Sequence, residues 1–173
     1  MQVLDFNDLE GIRIAVEMER RGRDFYEMAA RLTKNQQMNE LLLKLKAEEV
    51  VHMQQFGRLY DREQKRAEQI KPYSRETSAY LTALAADIVF SDGLVAVGVK
   101  GGFDDPVVML TEAVESEQES IDFYSTLAKE TEDDHARDIF REIIAQEKTH
   151  QERLRAQLKR IRENEQRTGA GNE

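Results

Sequence analysis

Two histidines in this chain each follow a glutamate by three residues, as Glu49-x-x-His52 and Glu147-x-x-His150. Three residues is close to one helical turn, so within a helix each carboxylate and imidazole share a face and can chelate one cation. One such pair is weak evidence, because it arises by chance in any charged helix. Here there are two, and two further glutamates, Glu19 and Glu117, fall at matching places upstream. Four carboxylates and two imidazoles suit a pair of divalent cations, whose four positive charges would offset four negative ones. Without cations, carboxylates gathered in an apolar interior protonate or oppose folding.

The matching places come from an internal repeat. Residues 15–30 (AVEMERRGRDFYEMAA) and 113–128 (AVESEQESIDFYSTLA) agree at eight of sixteen positions with an offset of 98. The same offset lays Ala47-Glu48-Glu49-Val50-Val51-His52 over Ala145-Gln146-Glu147-Lys148-Thr149-His150, and Asn7 over Asp105, both suited to cap a helix. A helical hairpin that recurs once is too short an array for a solenoid. Two hairpins face to face predict an all-α four-helix bundle with a long crossover between its second and third helices.

The four bundle helices are expected at about 8–33, 36–68, 105–129 and 133–165, the third opening on Pro106 in its first turn. Their apolar stripes are interrupted by the candidate residues. The first reads Ile12, Ala15/Val16, Glu19, Gly22, Tyr26, Ala30, and the second Met38, Leu42, Leu45, Glu49, His52, Phe56, Leu59. The third reads Leu110, Val114, Glu117, Ile121, Tyr124, Ala128, and the fourth Phe140, Ile143, Glu147, His150, Leu154, Leu158, Ile161. Glu19 and Glu49 lie about 15 residues either side of one turn, and Glu117 and Glu147 about 15 either side of the other. At about 1.5 Å rise per residue, all four reach one level of the bundle. Tyr26 and Tyr124, each seven residues after a glutamate, are either core aromatics or donors of a hydrogen bond to a ligand.

The organisation that follows is one domain over 1–168. Repeat 1 spans about 7–68, the crossover about 69–104 and repeat 2 about 105–165, with a frayed tail at 166–173. The crossover carries a short helix near Thr77–Phe90, then Gly93, Gly98, Gly101 and Gly102. Its apolar residues Leu81, Leu84, Ile88, Val89 and Phe90 suit either a homodimer face or packing on the bundle. Gly98-x-x-Gly101-Gly102 has no strand before it and makes a poor phosphate loop. His135, near a turn, is read as a surface residue, the run Glu130–Asp134 as a capping turn, and Met53 as core.

Composition removes several function classes. Charged residues make up 34% and apolar residues 40%, a balance that suits amphipathic helices. A net charge of −9 argues against a nucleic-acid partner, whose phosphates call for lysine and arginine. Without cysteine the chain has no disulfide, thiol nucleophile, zinc ribbon or rubredoxin-type iron site. Met1–Glu10 lacks the basic and apolar regions of a secretory signal. Asp87 and Asp92 break the most apolar stretch, so no membrane span is expected. The expected location is cytoplasmic.

With these residues in view, the chain resembles the rubrerythrin and ferritin-like di-iron family over about residues 8–165. The resemblance rests on Glu-x6-Tyr (Glu19/Tyr26 and Glu117/Tyr124) and the two Glu-x-x-His pairs. It implies two iron ions held by Glu19, Glu49, His52, Glu117, Glu147 and His150, with Glu49 and Glu147 bridging. It also implies an oxidoreductase in which reduced iron meets hydrogen peroxide or dioxygen. Two departures stand out. Rubrerythrins usually carry a cysteine-ligated rubredoxin domain, so turnover here calls for an external redox donor protein. They also tend to have a further glutamate where this chain has Ser120, whose repeat mate is Gly22. Bacterioferritins place a haem-binding methionine inside the second helix's Glu-x-x-His, where this chain has Val50 and Val51, so no haem is expected. Manganese or zinc could substitute for iron in such a donor set. The alternatives are a ferroxidase or iron-storage protein and a non-enzymatic metal-binding bundle.

Overall fold

A computed structural model describes residues 6–90 and 105–169. Five α-helices are present among them: α1 (Asp8–Leu32), α2 (Gln36–Gln64), α3 (Arg75–Phe90), α4 (Pro106–Glu130) and α5 (Asp134–Gly169). No strand occurs among the described residues. The glycines of the crossover and the residues 170–173 of the expected tail lie outside them.

The repeat is visible in the helix ends. Asn7 accepts from Leu9 and Glu10 backbone N–H at 2.9 and 3.3 Å. Its counterpart Asp105 accepts from Val107 and Val108 at 2.8 and 3.3 Å. These bonds satisfy donors that no earlier turn can reach. Asn35 and Asp133 repeat the device one helix later, accepting from Met38 at 3.0 Å and Ala136 at 2.8 Å. Thr33 and Thr131, again 98 apart, close α1 and α4.

α1 packs along α2 and α4 along α5, each joined by a short turn. One end of the bundle is tied by a polar network. Arg62 grips Asp133 with two parallel bonds of 2.9 and 3.0 Å, and Thr131 donates to Asp8 at 2.9 Å. The start of the crossover returns to the same end, where Tyr73 N–H donates to Phe6 O at 2.7 Å and its hydroxyl donates to Asp8. The end of α2, the start of α1 and the α4–α5 turn therefore meet at one end. α4, which ends at that turn, begins at the opposite end.

Two boundaries differ from expectation. α2 stops at Gln64 and gives way to a 3-10 turn at Ala67–Gln69, because Arg66 turns back to Asp133 and the chain must bend to reach Phe6. α5 continues to Gly169, so the expected tail begins as helix. The crossover helix, α3, sends Leu81 into the bundle core, with Leu84 packed against it. Leu81 is thereby packed within the chain, while the side chains of Ile88, Val89 and Phe90 lie outside the described residues. Met53 is half-buried, and His135 is exposed.

The core has two apolar halves. One gathers Ile12, Phe56, Leu59, Phe123, Tyr124 and Phe140 near the tied end. The other gathers Ala29, Met38, Leu42, Leu110 and Leu154 toward the far end. Between them lies a layer of buried charge.

Candidate metal centre

Each bundle helix contributes to that layer from the middle of its buried stripe. α1 supplies Glu19, α2 Glu49 and His52, α4 Glu117, and α5 Glu147 and His150, none more than 4% exposed. The 3.6-residue period that turns Leu45 and Phe56 inward turns Glu49 and His52 inward with them.

Donor atoms converge in two overlapping groups. Ligand atoms of Glu19, Glu49, His52 and Glu147 lie within 4.8 Å of one another, as do those of Glu49, Glu117, Glu147 and His150. Glu49 and Glu147 belong to both. His52 Nδ1 sits 2.9 Å from Glu147 Oε1, 3.2 Å from Glu19 Oε2 and 3.3 Å from Glu49 Oε2. His150 Nδ1 sits 2.9 Å from Glu147 Oε2, 3.2 Å from Glu49 Oε1 and 3.6 Å from Glu117 Oε1. The imidazole rings lie nearly parallel, 18° apart with centroids 5.4 Å from each other.

Both tyrosines reach across the bundle to the carboxylate of the other repeat. Tyr26 donates to Glu117 Oε1, and Tyr124 donates to Glu19 Oε1. Both phenols are buried, and Tyr124 also packs its ring on Phe56 with centroids 5.1 Å apart. They are thus core aromatics and hydrogen-bond donors at once.

The electrostatics of these side chains taken alone are divided. Burial, with the charges of Glu147 and Glu49 nearby, holds Glu19 well above the usual carboxyl range. Burial does the same to Glu117, outweighing its contact with His150. Burial also pushes Glu49 and Glu147 upward, but contacts with Glu19, His150 and His52 outweigh it at Glu49, which stays ionised. At Glu147, His150 and His52 tip the balance the same way. Burial opposes charge on both histidines and loses to the surrounding carboxylates, so His52 is raised strongly and His150 is pushed up to about 12. Without cations the layer therefore favours charge on Glu49, Glu147 and the two imidazoles and disfavours it on Glu19 and Glu117.

This arrangement fits a metal pair. Both oxygens of Glu147 and Nδ1 of His150 are buried and form no hydrogen bond, although Oε2 stands 2.9 Å from His150 Nδ1 and Oε1 2.9 Å from His52 Nδ1. Buried polar atoms are rarely left so. Oxygen and nitrogen atoms that point at a shared volume without bonding each other make a ligand set, and this hard-and-borderline mixture suits iron, manganese or zinc.

Sequence reasoning missed the outer partners of the histidines. His52 Nε2 meets Gln146 Oε1 at 3.0 Å, and His150 Nε2 meets Glu48 Oε2 at 3.1 Å. The signal was in the repeat, which sets a hydrogen-bonding side chain immediately before both Glu49 and Glu147.

Among the described residues, no helix is long and apolar enough to cross a membrane. Comparison with family models gives a match to the one described as Rubrerythrin over residues 10–158. No curated protein and no solved structure matches the chain.

Proposed function

Because the chain belongs to the rubrerythrin family, we propose that its buried layer holds two iron ions and that it is a non-haem oxidoreductase. It would reduce hydrogen peroxide or dioxygen, with electrons returned by an external donor protein. The observation that supports this reading most is the overlap of the two donor groups at Glu49 and Glu147. Glu19 with His52, and Glu117 with His150, would each complete one position, while Glu49 and Glu147 would serve both. The ions, when bound, supply together the two electrons that reductive O–O cleavage consumes.

The chain's own residues do the rest. The apolar halves on either side of the layer keep bulk water away and strengthen each polar contact within it. Tyr26 and Tyr124 hold Glu117 and Glu19 in place. Gly22 leaves the side of Glu49 bare, since a Cβ there would sit 3.5 Å from Glu49 Cγ and Cδ. On this side no α1 side chain at position 22 would stand between a small oxidant and the carboxylate. Converting hydrogen peroxide to two waters takes two electrons and two protons. The chain lacks cysteine and so has no rubredoxin-type site to refill the electrons. The proposed setting is a cytoplasmic homodimer. Met28, Leu32, Leu43 and Val51, exposed on α1 and α2, are apolar side chains a second copy could cover.

The test is aerobic loading of the metal-free protein with Fe(II), followed by anaerobic reduction and addition of hydrogen peroxide. A plateau near about two irons per chain, with one peroxide consumed per iron pair, is the expected result. Many irons per chain would indicate storage instead. A Glu49→Ala/Glu147→Ala variant that binds as much iron as the parent would remove the centre altogether.

A further inference from the structure

The repeat makes the two halves of the centre alike in every proposed ligand but not in what stands behind the histidines. Each imidazole turns Nδ1 toward the carboxylates and Nε2 outward, to a side chain from the opposite hairpin. For His52 that partner is the amide of Gln146, at 3.0 Å. For His150 it is the carboxylate of Glu48, at 3.1 Å. Positions 48 and 146 are equivalent under the offset of 98, and so are 55 and 153. Arg153 fixes Glu48 with a bond of 2.7 Å from Nη1 to Oε2, whereas Gln55 stands at the equivalent place in the first repeat. One histidine is thus backed by an anchored carboxylate and the other by a neutral amide.

The difference has a chemical consequence. An outward N–H bond fixes the tautomer, leaving the Nδ1 lone pair free to bind a cation. A carboxylate pulls on that N–H harder than an amide oxygen does, which makes the imidazole a stronger donor at Nδ1. Glu48 and Arg153 carry opposite charges, so their combined field at a distance is small. The effect acts through the direct 3.1 Å contact of Glu48 Oε2 with His150 Nε2.

We propose that Glu48 is a positioning residue that makes the two metal positions inequivalent. The position formed by Glu49, Glu117, Glu147 and His150 takes a divalent cation before the one formed by Glu19, Glu49, His52 and Glu147. This inference rests on the metal centre proposed above, and the experiment separates the two.

The chain has three histidines, His52, His135 and His150. Their ring nitrogens can be followed individually by NMR of 15N-histidine-labelled, metal-free protein during titration with zinc chloride. Zinc is diamagnetic, and exposed His135 reports non-specific binding. The expected result is that the first equivalent shifts the His150 signals and the second those of His52. In a Glu48→Gln/Gln146→Glu variant the order reverses. Glu48→Gln alone weakens the first step about tenfold, the lower end of what loss of an outer-shell partner costs. Both histidines responding together in the parent, or an order the exchange leaves unchanged, would overturn the inference while the centre stands. No response from His52 or His150 at two equivalents would overturn the centre and the inference with it.

Discussion

Tyr26 on α1 donates its hydroxyl hydrogen to Glu117 on α4, a residue of the other hairpin. The repeat returns the contact, with Tyr124 on α4 donating to Glu19 on α1. Each tyrosine follows a glutamate of its own helix by seven residues yet serves the glutamate of its counterpart. The two hairpins are therefore joined through the carboxylates that would bind metal.

Tyr26→Phe keeps the ring and deletes only this bond. We expect the metal-loaded protein to lose about 1.5–3 kcal/mol of stability, the range for a hydrogen bond to a charged group. The metal-free protein should lose less, because Glu117 held as a neutral acid is a weaker acceptor. Thermal unfolding of both forms, with Tyr124→Phe alongside, checks this. Equal losses in the two forms would contradict the assignment.

Loading the centre should expel protons. Glu19 and Glu117 are held protonated by burial, and His52 and His150 by surrounding carboxylates. A cation pair needs all four deprotonated at their ligand atoms. Binding divalent ions should thus release protons, and affinity should rise with pH. Calorimetry in buffers of different ionisation enthalpy counts them. Release of none would mean the histidines and carboxyls are not the ligands.

The same groups set the pH dependence of the metal-free fold. His150 moves from an ordinary 6.5 to about 12 on folding. Its contribution is complete below 6.5 and is lost as pH climbs toward 12, since the unfolded chain gives up its proton first. Glu19 and Glu117, raised above 4.5, act in the same direction. The melting temperature of the metal-free protein should fall between about pH 6 and pH 9. Metal-loaded protein should show no such fall from these groups, because bound cations have already displaced the protons that the unfolded chain would give up.

Replacing Glu19 and Glu117 by leucine, with Tyr26 and Tyr124 changed to phenylalanine so that no buried phenol is orphaned, should abolish the metal pair and leave the metal-free protein at least as stable as the parent. Exchanging both partners of a buried polar contact for apolar side chains of similar shape is often neutral or stabilising. Unfolding curves and metal stoichiometry on the one variant test both halves. A variant that is less stable without metal would show that the layer's polar contacts more than offset its desolvation.

Two glycines on α1 should respond in opposite ways to alanine. At Gly11 a Cβ would lie 2.5 Å from Leu127 Cδ2, so Gly11→Ala must displace that side chain, at a cost of about 1–3 kcal/mol. At Gly22 the nearest atoms are 3.5 Å away, so Gly22→Ala fits and gains helix propensity of up to about 1 kcal/mol. Peroxide consumption should nonetheless slow in Gly22→Ala, because the added methyl occupies the space beside Glu49. Unchanged turnover would dissociate that space from the reaction.

Much of this was legible in the sequence because helical periodicity and the repeat reinforce one another. The inward stripe of α2, from Met38 to Leu59, is buried residue for residue. The six polar interruptions meet because equal spacing from two turns fixes their height. Illegible were features that depend on how the helices rotate against each other. Phe123 and Leu127 are fully buried on a second face of α4 that a single stripe does not describe. Glu48 and Gln146 lie just beside the inward stripe, so their roles required knowing which neighbour each helix faces. The end of α2 was set by Arg66 and Asp133, partners 67 residues apart, which no local pattern reports.

The charged layer also has a bearing on how the helices find their alignment. Sliding any one of them by a turn, about 5.4 Å, would lift its glutamate out of the layer and press it among the leucines and phenylalanines of one apolar half. An apolar core filled throughout would tolerate such a slip with modest repacking, whereas an isolated buried carboxylate would not. The buried carboxylates and imidazoles thus act as a vernier, admitting one vertical setting of the four helices and penalising its neighbours.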